Sequence, residues 1–181
     1  MHIGIFGPTR GGKTTLANAL LAQKKKAGFA NLVCDPLLAD LPREKWAHVW
    51  PGAVWITPEI AEFIEKAKRC KRCFLFVEES SLSVKRCRDV SWLFVAAGNP
   101  LAGGHTTVVI GQDASSLLPG MRQQLSTVYL FRCHPDLAEV WSHQFADPEI
   151  VKIAPKLNRF EFITCETYRT KPLAPQKLST K

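Results

Sequence analysis

The sequence has no stretch near the roughly 18 to 20 consecutive apolar residues that a membrane-spanning helix needs. It also lacks a leader of basic, then apolar, then small residues; Met1 runs straight into an apolar run and a glycine-rich loop. Both absences point to a soluble intracellular chain. Internal repeats and low-complexity linkers are missing too, and 181 residues suit one compact domain. Six cysteines occur (Cys34, Cys70, Cys73, Cys87, Cys133 and Cys165), without an export signal and without a second tight pair beside Cys70-Lys71-Arg72-Cys73. That argues against a disulfide framework. It leaves zinc short of ligands even with Cys87 as a third, so the cysteines read as reduced thiols.

Acidic side chains are scarce: 16 Asp plus Glu stand against 24 Lys plus Arg, a net charge of +8. With 46% hydrophobic and 22% charged residues, the composition is globular and excludes a mainly disordered chain. The cations cluster at Lys24-Lys25-Lys26, at Lys66, Lys68, Arg69, Lys71 and Arg72, at Lys85, Arg86 and Arg88, and again in the C-terminal segment. One such cluster is ordinarily a solvated helix end. Together they point to a polyanionic partner, with Lys68, Arg69, Lys71 and Arg72 the candidates for backbone contacts to DNA.

Apolar runs at 2–6, 30–34, 53–56, 74–77, 106–110, 128–131 and 158–165 read as strands. Helices are expected at 15–26, 59–69, 90–97 and 135–145, and at 115–125 with a break at Pro119-Gly120. Residues 37–52 read as irregular. Trp46, Trp50 and Trp55, interleaved with Arg43, Lys45 and His48, could stack on bases beside cations, but are read rather as plugging a sheet edge or a subunit interface. Strands apolar on both faces, alternating with helices, predict an α/β fold with a mainly parallel sheet sandwiched by helices. The expected organisation is a single domain over 1–168 and a flexible basic tail over 169–181.

Gly7-Pro8-Thr9-Arg10-Gly11-Gly12-Lys13-Thr14, continued by Thr15, satisfies G-x4-G-K-[ST] between a strand and a helix. Glycines let backbone N–H groups turn inward around phosphate oxygens, and the helix N-terminus adds its dipole. Residues 7–15 are therefore the expected ATP-binding segment. Lys13 reaches the β- and γ-phosphates, and the Thr14 hydroxyl is a ligand for Mg²⁺. Phe74-Leu75-Phe76-Val77-Glu78-Glu79 reads as a Walker B strand, with Glu78 holding Mg²⁺ through water and Glu79 polarising the attacking water. Gln112, just past an apolar strand, is the third element, placed to sense the γ-phosphate or orient water.

On these three motifs the sequence resembles the FtsK–HerA superfamily of DNA-pumping ATPases, with a P-loop NTPase fold of the RecA/ASCE type. Val109-Ile110-Gly111-Gln112, the segment 117–122 and Val128-Tyr129-Leu130-Phe131-Arg132 are similar to that family's later elements, and Asp35-Pro36 to its second strand end. Within the superfamily the chain looks most like the genome-packaging ATPases of internal-membrane (tectivirus-like) and related icosahedral viruses. The resemblance implies a Gln112 strand lying between the P-loop and Walker B strands. It also implies a homo-oligomeric ring, expected as a hexamer, that pumps DNA into a capsid and meets capsid vertex proteins, in the host cytoplasm or at the virion's packaging vertex. Glu78-Glu79 stands where many relatives have Asp-Glu. The stretch 98–105, where many relatives carry an arginine acting across the interface, has none. Arg86, Arg88, Arg122 and Arg132 are the candidates for that role, and Arg10 is a further γ-phosphate ligand. A filamentous-phage assembly ATPase of the Zot type, a small P-loop nucleotide kinase, and a basic nucleic-acid-binding protein with structural ATP are the competing readings.

Overall fold

The computed structural model of the chain describes residues 2–78, 90–114, 117–167, 169 and 171–178. Five residues with both faces buried form β1 (His2–Phe6). It leads through the glycine-rich loop into α1 (Lys13–Lys26), followed by β2 (Asn31–Cys34), α2 (Arg43–Val49), β3 (Trp55–Thr57), α3 (Ile60–Lys68) and β4 (Phe74–Val77). Then come α4 (Ser91–Val95), β5 (Thr106–Gly111), α5 (Pro119–Arg122), β6 (Leu125–Phe131), α6 (Pro135–Phe145), α7 (Glu149–Ile153), β7 (Glu161–Glu166) and β8 (Gln176–Lys177).

The strands make one eight-stranded sheet in the order β3-β2-β4-β5-β1-β6-β7-β8. The first six are mutually parallel; β7 pairs antiparallel with β6, and β8 antiparallel with β7. The mainly parallel sheet and the position of β5 between β1 and β4 are as the sequence led one to expect. Two-sided burial has its cause in the alternation along each strand. Ile3, Ile5, Phe74 and Phe76 pack with Leu16, Ala17 and Leu21 of α1 on one face. Leu75, Val77 and Val109 pack with Phe63 and Ile64 of α3 and Trp141 of α6 on the other.

Four local expectations are corrected. Residues 37–52 are not irregular: a 3₁₀ turn (Pro36–Asp40) and α2 occupy them. Asp35 caps that turn by accepting from Leu37 N–H at 3.0 Å and accepts from the buried Trp50 Nε1 at 2.9 Å. Trp46 Nε1 donates to the Leu38 and Leu41 carbonyls, so these indoles are spent on structure within the chain. Pro119 does not break a helix but starts α5, in the first-turn position where its missing N–H costs nothing. The late strand starts at Glu161 rather than 158, and residues 158–160 form a turn before it. The C-terminal segment is not wholly loose: Gln176 and Lys177 pair with β7, and Leu178 packs against the α1 face of the core. The short helix α7, between α6 and β7, was missed in the sequence.

Two histidines tie the sheet's lower edge, where the parallel strands begin. His2 Nδ1 accepts from Thr107 N–H at 3.1 Å, and His105 Nδ1 accepts from Cys73 N–H at 3.2 Å. An accepting nitrogen must be unprotonated, and burial pulls both imidazoles below their ordinary value, His2 to about 4. In the unfolded chain His2 takes up its proton near 6.5, in the folded protein only near 4, so between these values the unfolded state holds the extra proton. The stability this contributes is complete above pH 6.5 and is lost as pH falls toward 4. Denaturant midpoints followed downward from neutral pH are expected to drop through that window. His2→Asn, which keeps an acceptor but not the titration, should leave only the part of the drop due to His105.

Candidate active site

Parallel strands deliver their C-terminal ends to one edge, so β1, β4, β5 and β6 open side by side there. The glycine-rich loop follows β1, Glu78 follows β4, Gln112 follows β5 and Arg132 follows β6. The sequence thus brings its candidates together by topology before any side chain is considered.

The loop is fixed by close backbone approach. Gly7, at φ 152, donates its N–H to the Gly111 carbonyl at 3.3 Å. A Cβ built on Gly7 would stand 2.5 Å from Phe131 Cβ on β6, closer than any real side chain tolerates. Gly11 N–H donates to the Pro8 carbonyl at 3.1 Å, and Arg10 at φ 60 completes the turn. Gly12, left-handed at φ 111, forms the N-cap of α1, whose first turn holds no acidic residue and has no side-chain cap. The helix dipole and the N–H groups of that turn therefore face the loop as an anion site.

Lys13 is buried at 8% exposure, and its Nζ donates to the Pro8 carbonyl at 3.0 Å. Thr14 Oγ1 donates to Glu78 Oε1 at 3.4 Å, across 64 residues of sequence. A hydroxyl and a carboxylate this close, beside a phosphate-binding loop, are the hard oxygen pair that Mg²⁺ takes, so the residues fit the ion. Gln112 is exposed one residue beyond β5. Glu79, Arg86 and Arg88 lie outside the described residues.

The arginines separate by position. Arg132 shares a cavity of about 230 Å³ with Pro8, Thr9, Arg10 and Gly11, so it stands beside the loop of its own chain. Arg122 donates Nη1 to the Ala114 carbonyl at 3.2 Å and receives Gln144 Nε2 on its own carbonyl at 3.0 Å. It braces the stretch just after Gln112. Arg159 and Phe160 were not singled out in the sequence. They wall both that cavity and a neighbouring one of about 260 Å³ that contains Gly12, Lys13, Thr14 and Thr15. Nothing near them in sequence marks them; the antiparallel pairing of Phe162 with Phe131 carries the turn before β7 to the loop edge.

The cations proposed for DNA lie at the opposite edge. Lys68 ends α3 and pairs with Glu65 at 2.9 Å, while Arg69, Lys71 and Arg72 are exposed just before β4. Lys24 joins them, with its Nζ 4.8 Å from the centre of the Phe74 ring. A larger cavity, about 610 Å³ and lined partly by His2, Phe94 and Glu166, also opens at that far edge and contains none of the loop residues. Among the described residues no group of three or more His, Cys, Asp or Glu could hold a metal. Burial pushes the Cys73 thiol up to about 11, as expected of a reduced, protonated cysteine.

No family model and no curated protein matches the sequence. Solved structures do. The genome-packaging NTPase B204 of Sulfolobus turreted icosahedral virus 2, in complex with AMPPCP, superposes with a TM-score of 0.72 at 13% identity, over 97% of this chain and 95% of that one. The fold is that of the B204 packaging NTPases. B204 from Sulfolobus turreted icosahedral virus, a DNA-packaging ATPase, gives 0.72 at 16% identity over 97% and 96%. VirB4 of Thermoanaerobacter pseudethanolicus gives 0.68 at 11% identity over 99% of this chain and 89% of its own. The resemblance read from the three motifs thus holds at the level of the fold. Among the described residues no helix is long and apolar enough to cross a membrane.

Replacing Gly7 by Ala pushes a methyl group into Phe131 at a left-handed backbone position. It is expected to lower stability by about 2 to 4 kcal/mol and to displace the loop. Thermal unfolding and nucleotide binding, compared with Gly28→Ala at a position with open space around it, check this; the control is expected to keep nucleotide binding.

Proposed function

We propose that the chain is a Mg²⁺-dependent ATPase that works as a homo-oligomeric ring and moves DNA, packaging a viral genome into its capsid. The observation that carries this is the contact between Thr14 and Glu78 at the foot of a phosphate-binding loop, in a fold shared with B204 over 97% of the chain.

In this reading the backbone N–H groups of residues 12–15 receive the phosphates, and Lys13 leaves its Pro8 partner for the β- and γ-phosphate oxygens. Thr14 and Glu78 hold Mg²⁺, which when bound neutralises charge on the phosphates. Glu79 polarises the attacking water, and Gln112 orients it or reports the γ-phosphate to β5. Arg10 and Arg132, beside the loop, are placed to act within the subunit. The arginine that completes the site comes from a neighbouring subunit, with Arg86, Arg88 and Arg122 the remaining candidates. A net charge of +8 and the exposed Arg69, Lys71 and Arg72 supply non-specific contacts to the DNA backbone. A pair of acidic residues after an internal strand and a glutamine after the next favour hydrolysis over transfer to a second nucleotide.

Steady-state hydrolysis with Mg²⁺, with and without double-stranded DNA, tests the reading. The isolated protein is expected to be slow, because an arginine supplied in trans is worth about 10³ to 10⁵ in rate. DNA should stimulate turnover, and Lys13→Ala and Glu79→Gln should each abolish it. Phosphoryl transfer to an added nucleoside monophosphate, in place of DNA-stimulated hydrolysis, would overturn the proposal in favour of a kinase.

A further inference from the structure

Beside the loop stands an aromatic surface to which hydrolysis assigns no task. Phe160 lies in the turn before β7 at φ 66, a backbone region that bulky side chains rarely occupy. The Arg159 guanidinium sits over its ring, 4.6 Å from the centre. A Cβ built on Gly12 would stand 3.0 Å from Phe160 Cδ1 and 2.8 Å from Leu178 Cδ1, so ring and leucine close directly on the N-cap of α1.

The turn is held from three sides. Leu178 N–H donates to the Phe160 carbonyl at 3.0 Å, and Glu161 N–H to the Asn158 carbonyl at 3.1 Å. Asn158 donates both its N–H and its Nδ2 to Glu161 Oε2, at 2.9 and 3.0 Å. An uncommon backbone conformation kept in place by its surroundings is a reason to look for function there. A cavity of about 260 Å³ joins this turn to the glycine-rich loop: it runs from Gly12, Lys13, Thr14 and Thr15 to Arg159 and Phe160. Phosphates held on the first group would leave the second within reach of the sugar and base.

We infer that Phe160 and Arg159 form the nucleobase platform of this site, on which the base of a nucleoside triphosphate is held by its π-face. The inference rests on the nucleotide-binding reading above and deepens it. Every base offers a face, and stacking on an aromatic ring or a guanidinium plane tolerates all of them. Base identity is read instead at the edge, by a donor and an acceptor set side by side. Among the described residues Asn158 is the side chain of that kind in the walls of the two cavities, and its Nδ2 is engaged by Glu161. The site therefore takes ATP and GTP alike. Leu178 belongs to the platform as its support, which gives the C-terminal strand β8 a role in nucleotide binding.

Binding of ATP, GTP and inorganic triphosphate, each with Mg²⁺, to the full chain tests this by calorimetry. Phe160→Leu keeps an apolar contact to Gly12 and Leu178 but removes the π-face; Phe160→Trp keeps the face. Wild-type affinities for ATP and GTP are expected to agree within about threefold, and both to exceed that for triphosphate by about ten- to a hundredfold. Phe160→Leu should erase most of that excess while leaving triphosphate affinity unchanged, and Phe160→Trp should restore it. An unchanged excess in Phe160→Leu, or wild-type discrimination between ATP and GTP beyond about a hundredfold, would overturn the platform and leave the hydrolysis reading standing. Wild-type protein that binds neither nucleotide nor triphosphate would sink the nucleotide reading, and the platform with it.

Discussion

The backbone of Gly7 lies against Phe131 with no room for a β-carbon, and the nucleotide edge is organised around that contact. It presses the loop onto β6, and β6 in turn sets β7 in antiparallel register through Phe131 and Phe162. From β7 hang Arg159 and Phe160, and from β8 hangs Leu178, so the far wall of the site is positioned by the same approach. On the other side of β1 the hydrogen bond from Gly7 to Gly111 ties the loop to β5 one residue before Gln112. A single glycine thus couples the two halves of the edge. The loop is a mould held between β5 and β6 rather than a flexible strap.

What could be read from the sequence was what local chemistry dictates. The phosphate loop is contiguous, its glycines and lysine at fixed spacing, and the structure sets Thr14 beside Glu78 as hard-oxygen chemistry asks. The strands β1, β4 and β5 were legible because two-sided burial leaves an unbroken apolar run. Arg159 and Phe160 were not legible, since their place depends on a strand that turns back along β6, and antiparallel return leaves no mark on the residues that precede it. Residues 37–52 misled for a related reason. Their tryptophans and prolines suggest a loop, yet Trp50 is buried on Asp35, and that contact, with Asp35 capping Leu37 and Trp46 bonded to Leu38 and Leu41, holds the 3₁₀ turn and α2 between β2 and β3. Pro119 was misjudged because proline stops a helix from within and starts one from its first turn, and composition does not tell the two apart.

The two kinds of chemistry on this chain occupy opposite edges of the sheet. Phosphate-binding groups gather where the parallel strands end; the cations Lys24, Arg69, Lys71 and Arg72 gather where β2 and β4 begin. β4 joins them directly. Arg72 and Cys73 precede its first residue, Phe74, and Glu78 follows its last, Val77; Phe74 and Glu78 are roughly 13 Å apart at 3.3 Å per residue. Every residue of β4 is buried, between β2 and β5, and a close-packed strand transmits displacement along its axis with little loss. At the start of the strand, the N–H of Arg72 is anchored on the Gly103 carbonyl at 2.8 Å. If the lower edge meets DNA, β4 is the shortest mechanical path by which the state of the nucleotide reaches it.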